Sequence, residues 1–178
     1  MLGIFWIVAL VLAPILTVRL QQAAGLDPLF FAIQTGAGLA LLAAGTALVV
    51  WSVVTFATAG GGTPMPFDAP RRLVISGPYA WLRNPMVLGF VVQGVGVGLM
   101  AGSIPVILLY LLVGLWWNLL VRPRDEDQLQ KVFGRDLELY RRHVPCWLPL
   151  RRRWSPPPQI GPISLDEVPQ RRHSRKRR

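Results

Sequence analysis

Long uncharged and largely apolar intervals alternate along this chain with short polar stretches, and their lengths predict membrane-spanning helices. The first two intervals lie at residues 2–18 and 29–59. The third, residues 84–121, would form a helix of about 57 Å, almost twice the thickness of a bilayer core, so it must fold back on itself. Glycine and proline within residues 101–105 favour a tight turn there. We therefore expect four spans, near residues 2–19, 29–58, 85–101 and 104–121.

The hydrophobic pattern changes after the fourth predicted span. Apolar residues now recur at spacings of three and four with charges between them, which predicts an amphipathic helix lying along the membrane surface or capping the bundle. They are Leu129, Val132, Phe133, Leu137 and Tyr140. From Trp154 onward the chain is rich in Pro, Ser and Arg and cannot bury enough apolar surface to fold alone. Residues 151–178 are therefore predicted to form a disordered, basic cytoplasmic tail.

Composition and charge distribution agree with a membrane protein. Hydrophobic residues make up 52% of the 178 residues and charged residues 16%, against roughly 25% in soluble domains. Most of the 19 lysines and arginines follow Val121, which places the C-terminus in the cytoplasm by the positive-inside rule. With four spans the N-terminus is cytoplasmic too. The expected fold is an all-α, multi-pass bundle in the cell (inner) membrane, with a C-terminal amphipathic cytoplasmic helix.

Several classes of chemistry are excluded by residue counts or context. One cysteine cannot form an internal disulfide, and with two histidines it cannot build a Cys/His zinc site, so no metal site is predicted. The basic C-terminal run favours anionic lipid over nucleic acid, because it follows four membrane spans. Gly96 opens a match to a dinucleotide-binding pattern, but no strand precedes it. Gly94, Gly98 and Gly102 share one helix face instead, which predicts close helix packing.

The decapeptide GPYAWLRNPM, residues 77–86, is unusually polar and stiff for a segment between membrane spans. The predicted hairpin begins directly after it and ends just before an acidic helix start. A short turn at the far end of the hairpin therefore brings two cytoplasmic segments together. The residues expected to converge are Arg83, Asn84, Arg122, Asp125 and Glu126. Such a polar pocket at the mouth of an apolar bundle suits a zwitterionic ligand above and an apolar substrate reaching up from the bilayer.

Each of these residues also has a purely local explanation. Asn84 followed by Pro85 is a common helix start, and Tyr79 could be an aromatic residue of the membrane interface. Glu126 could stabilise the positive end of a helix dipole. Only the joint spacing favours a site over these alternatives.

The strings PRRLVISGPYAWLRNPMVLG and DEDQLQKVFGRDLELYRRHVP resemble the isoprenylcysteine carboxyl methyltransferase family and its relatives, the membrane phospholipid methyltransferases. The resemblance covers residues 60–150 and implies a membrane methyltransferase domain within residues 1–150. It also implies that S-adenosylmethionine is held at the cytoplasmic face while a lipid-linked or hydrophobic acceptor enters from the membrane. The implied catalytic residues are Arg83, Arg122 and Glu126. The implied cofactor-binding residues are Arg72, Leu73, Val74, Tyr79, Asn84, Pro85, Met86, Asp125 and Glu126.

Departures from the family pattern bear on the acceptor. Asn84 stands where the family has histidine, Asp125 where it has glutamate, and Val87 and Leu137 where it has tyrosine. Asparagine does not titrate near neutral pH, so that position offers no general base. This favours carboxyl O-methylation, since a carboxylate is already ionised. Phosphatidylethanolamine-type N-methylation would require Asp125 or Glu126 to accept a proton. A non-catalytic membrane scaffold is a further possibility.

Overall fold

A computed structural model describes residues 8–30, 32–60, 72–149 and 152–155, and all regular structure within these ranges is helical. In chain order the helices are α1 (Ala13–Ala23), which follows a π-helical turn (Val8–Leu12), α2 (Gln34–Gly60), α3 (Pro85–Met100), α4 (Ile104–Trp116) and α5 (Arg122–His143). A 3₁₀ turn (Gly77–Ala80) precedes α3, and a π-helical turn (Trp117–Val121) joins α4 to α5. The start of the first predicted span, residues 61–71 and the predicted tail beyond residue 155 lie outside the described residues.

The helices are apolar and expose apolar side chains. Helix α2, with 27 residues, and the helical run Ile104–His143, with 40, are long and apolar enough to cross a membrane, while Val8–Ala23 and Pro85–Met100 are apolar but shorter. Leu16 and Leu112 are each 61% exposed, far more than leucine side chains of a folded core. Extensive exposed apolar surface of this kind is typical of contact with lipid. The all-helical prediction is thus confirmed for the described part of the chain.

The turn between α3 and α4 lies where the sequence predicts it. Gly102 has a φ of 61°, which only glycine adopts easily, and its carbonyl oxygen accepts a hydrogen bond of 2.9 Å from the backbone N–H of Leu29. The Ser103 hydroxyl caps α4 by accepting from the backbone N–H of Val106 at 3.3 Å. It also donates to Oε1 of Gln21 at the end of α1. These bonds join the end of α1, the chain before α2 and the turn between α3 and α4 at the end of α3 opposite Arg83.

Glycines allow α3 to pack closely against helices on two sides. A Cβ atom added to Gly94 would lie 1.9 Å from the Tyr110 ring of α4, and one added to Gly98 would come within 2.6 Å of the same helix. The predicted packing face is therefore confirmed for Gly94 and Gly98. The prediction is wrong for Gly102, which lies in the turn after α3, where an added Cβ would lie 2.6 Å from the carbonyl oxygen of Leu29. Gly96 faces the other way, because its added Cβ would lie 2.6 Å from the carbonyl oxygen of Gly38 in α2. Helix α3 is thus held between α2 and α4.

Helix α5 reverses direction at Gly134. This residue has a φ of 49° and a ψ of −118°, far from helical values. In a straight helix the Cα atoms of Glu126 and Arg141 would be about 22 Å apart, yet their side chains form an ion pair of 3.1 Å. The chain therefore folds back, and we call residues 135–149 the return segment. The predicted amphipathic helix is present, but it is broken in the middle rather than continuous.

Apolar side chains of the return segment form a small core with residues from other parts of the chain. Its buried members are Phe133, Leu137, Tyr140 and Val144, and the partly buried side chains packed against them are Leu73, Ile75, Leu129 and Trp154. Leu137 is only 2% exposed, so this departure from the family pattern fills the core rather than lining a pocket. Trp154 is anchored as well, since its backbone N–H donates to the Ala80 carbonyl oxygen at 3.0 Å.

Candidate functional site

The carboxylate of Glu126 lies among three arginines from three different segments. Oε1 is 2.8 Å from Nη1 of Arg83, in the loop before α3, and 3.7 Å from Nη1 of Arg122, one turn earlier in α5. Oε2 is 3.1 Å from Nη2 of Arg141 in the return segment. Glu126 and Arg83 are largely buried, with side chains 14% and 15% exposed. The predicted meeting of Arg83 with the acidic start of the last helix is therefore confirmed.

The backbone of Arg83 is anchored to the return segment and lies close to the start of α3. Its backbone N–H donates to the Pro145 carbonyl oxygen at 2.9 Å, which ties it to the return segment, and α3 begins two residues later at Pro85. Its Nε atom is buried and has no hydrogen-bond partner within the described part of the protein. A buried donor without a partner is costly, by about 1 to 3 kcal/mol, so this atom is well suited to bind an acceptor group of a ligand.

Asn84 does not act as a side-chain cap of α3, although it occupies the capping position. Its Nδ2 instead lies 3.0 Å from Sγ of Cys146 in the return segment, to which it donates. The local explanation of Asn84 as a simple helix cap is therefore wrong for its side chain. Asn84 and Arg83 together hold the return segment against the start of α3.

The 3₁₀ turn is fixed by close contacts at both ends. Gly77 has a φ of 55°, and a Cβ added there would lie 2.6 Å from Oγ1 of Thr55 in α2. Tyr79 is buried beside Phe56, with 6.3 Å between ring centroids, and its carbonyl oxygen accepts a 2.7 Å hydrogen bond from the Tyr140 hydroxyl. Burial raises the pKa of both tyrosines, so each phenol stays protonated at neutral pH. Tyr79 is thus buried within the protein rather than exposed at its surface.

Asp125 lies beside Glu126 at the start of α5. Burial raises the pKa of its carboxyl, because the ionised form loses solvation. A cationic ligand group placed nearby would act in the opposite direction, because it stabilises the ionised form. The first turn of α5 therefore offers one carboxylate already paired with arginine and one that favours a new cationic partner.

The remaining predicted cofactor residues differ in their surroundings. Arg72 is exposed, and its backbone N–H donates to the Gly60 carbonyl oxygen at 3.2 Å. Leu73 packs against the apolar core, and Val74 is only 6% exposed. Pro85 is buried and Met86 is partly buried at the start of α3. The structure thus brings the residues before and after the 3₁₀ turn to the same end of the molecule as Glu126.

Residues of the return segment were missed by sequence reasoning. Arg141 was not predicted, and neither was Trp147, whose Nε1 donates to Oδ1 of Asn118 at 2.9 Å. The Trp147 and Trp117 rings meet edge to face, with centroids 6.1 Å apart. The available signal was Gly134, since a glycine within an amphipathic pattern can mark a break as well as a tolerated helix position.

The chain is similar in sequence to proteins of known families. A protein-S-isoprenylcysteine O-methyltransferase from Schizosaccharomyces pombe is 37% identical over 79 residues, which cover 44% of this chain and 33% of that protein. The aligned region therefore spans about a third of this relative. A model of the phospholipid methyltransferase family matches residues 33–136, from the start of α2 through the whole arginine–glutamate cluster except Arg141. Because that match covers more than half of the chain, the protein belongs to the phospholipid methyltransferase family.

Proposed function

We propose that the protein is a multi-pass membrane methyltransferase that uses S-adenosylmethionine and methylates a carboxylate or similar ready nucleophile on a lipid-linked or hydrophobic acceptor. The observation that carries this proposal is the cluster of Glu126 with Arg83, Arg122 and Arg141 at one end of the apolar helices. Membership of the family supports methyl transfer. The similarity to an isoprenylcysteine O-methyltransferase supports a carboxyl acceptor.

In the proposed topology the chain crosses the inner membrane of the cell four times. Both termini lie in the cytoplasm. Two helices that satisfy the length and apolarity of a span support this topology, as do two shorter apolar helices and the exposed leucines. The arginines of the cluster then lie at the cytoplasmic surface, where positive charge is favoured. The acceptor would reach them from the bilayer.

The charges of the site fit the cofactor. S-adenosylmethionine carries a carboxylate, an ammonium and a sulfonium, and when bound it supplies an electrophilic methyl group. Asp125 and Glu126 would hold the cationic groups, and the arginines would hold the carboxylate. The Nε of Arg83, which has no hydrogen-bond partner among the residues that the structure describes, can donate to that carboxylate. The segment 72–79, with Asn84 to Met86, would complete the binding residues.

A carboxylate acceptor asks little more of the protein. It is ionised at neutral pH, so the site must align it, remove water and orient it with a cation. We assign that role to Arg122, because its side chain is 27% exposed and its Nη1 is 3.7 Å from Oε1 of Glu126. Asn84, which offers no base, is compatible with this reaction.

Phospholipid N-methylation is the second candidate, and one observation favours it. An ammonium acceptor must first lose a proton, and burial raises the pKa of Asp125 toward the range in which a carboxylate accepts one more readily. Incubating the protein and labelled cofactor with a prenylcysteine analogue, or with phosphatidylethanolamine vesicles, distinguishes the two candidates by which acceptor becomes labelled.

Calorimetry with S-adenosylmethionine on the detergent-solubilised protein tests the proposal without knowledge of the acceptor. We expect binding by the wild type and an affinity weaker by about 1 to 3 kcal/mol in Glu126→Gln, the usual scale for a hydrogen bond to a charged group. Glu138→Gln is the matched control, since Glu138 pairs with Arg142, four residues later, at an exposed site. Folded wild-type protein that fails to bind at millimolar cofactor would leave a membrane scaffold as the remaining function.

A further inference from the structure

Arg141 reaches the candidate site only because the chain reverses at Gly134. It lies fifteen positions after Glu126, yet its Nη2 is 3.1 Å from Oε2 of that residue. It also lies beyond residue 136, where the family match ends. Its position in the cluster is therefore a property of this chain that the match does not cover.

The cluster contains more positive than negative charge. Three guanidinium groups contact one carboxylate, which leaves two positive charges without a partner among these contacts. Partly buried cations held close together favour the binding of an anion.

The three arginines differ in how much of the guanidinium remains free. Arg83 is 15% exposed and bonded at 2.8 Å, and the Nε of Arg122 already lies 3.4 Å from the carbonyl oxygen of Asn118. The Arg141 side chain is 43% exposed, and it contacts Glu126 through Nη2. Arginine has five N–H donors in a planar fork, so Arg141 can bind a carboxylate while keeping its bond to Glu126.

We propose that Arg141 is a binding residue for a carboxylate of a ligand in this site. This inference rests on the proposed function, and two sources of the carboxylate are compatible with it. One is the amino-acid carboxylate of S-adenosylmethionine, and the other is the anionic group of the acceptor.

Calorimetry on the full-length, detergent-solubilised protein tests the assignment, with S-adenosylmethionine and its decarboxylated analogue as ligands. Arg141→Gln should bind S-adenosylmethionine roughly tenfold to a hundredfold more weakly than the wild type. Binding of the decarboxylated analogue should be unchanged. Arg142→Gln is the matched control, because this adjacent arginine is 71% exposed and pairs with Glu138 instead. Arg141→Lys should recover part of the affinity, which a purely structural defect would not predict.

The second arm measures binding of a carboxylate-bearing prenylcysteine analogue to the cofactor-loaded protein. Loss of affinity for this analogue in Arg141→Gln, with cofactor affinity intact, assigns the carboxylate to the acceptor. If Arg141→Gln matches Arg142→Gln for both ligands while the wild type binds the cofactor, the Arg141 assignment is wrong and the proposed function stands. If the wild type binds no cofactor, both fall together.

Discussion

Replacing Gly134 by alanine should destabilise the protein through its backbone alone. Gly134 has a φ of 49° and a ψ of −118°, and a Cβ atom added there would meet nothing within 4 Å. No collision contributes, so the expected loss is that of a strained non-glycine conformation, about 1 to 3 kcal/mol. Gly36→Ala is the matched control. It also has open space but lies in α2 with helical geometry, and there alanine should stabilise by up to about 1 kcal/mol.

Denaturant unfolding of both variants in detergent, followed by circular dichroism, measures these changes. Gly134→Ala should also bind S-adenosylmethionine more weakly, because the reversal places Arg141 beside Glu126 and Pro145 beside Arg83. Gly36→Ala should leave cofactor affinity unchanged. Equal stability and equal affinity of Gly134→Ala and the wild type would refute both the reversal and the role of the return segment in the site.

Three further changes test other parts of the structure. Tyr140→Phe keeps the buried ring but leaves the Tyr79 carbonyl without its donor, so the free energy of unfolding in detergent should fall by about 1 to 3 kcal/mol. An unchanged free energy of unfolding would disprove the bond. Gly94→Ala should destabilise by about 1 to 3 kcal/mol, because its Cβ would lie 1.9 Å from the Tyr110 ring, and Tyr110→Leu in the same chain should restore part of the loss. Since burial raises the pKa of Asp125, cofactor affinity measured by calorimetry should rise with pH as this carboxyl ionises, and Asp125→Asn should remove that contribution.

The helices and one key contact could be predicted from the sequence for identifiable reasons. Charge-free intervals and the glycine and proline near residue 102 limit where helices can run and turn. The meeting of Arg83 with Glu126 follows from that turn, because both flank one hairpin. The close packing at Gly94 and Gly98 could be predicted because residues four apart share one helix face.

Other features depend on tertiary contacts that spacing does not encode. Gly134 within an amphipathic pattern costs a continuous helix only about 1 kcal/mol, so the pattern predicts continuity and not a reversal. Arg141 was missed for that reason. The partner of Asn84 could not be predicted either, because Cys146 reaches it only after the return segment has folded back. The roles of the cofactor-binding residues remain predictions.

The unbroken helix from Ile104 to Glu126 has a mechanical consequence. It passes through the π-helical turn as one rod of about 33 Å, whereas Arg83 directly precedes a different helix, α3. In the proposed topology the part of this rod formed by residues 104–121 lies in lipid. A helix whose apolar length differs from the bilayer thickness responds by tilting. Such a tilt would move Glu126 relative to Arg83, so the thickness of the surrounding bilayer would act directly on the geometry of the candidate site.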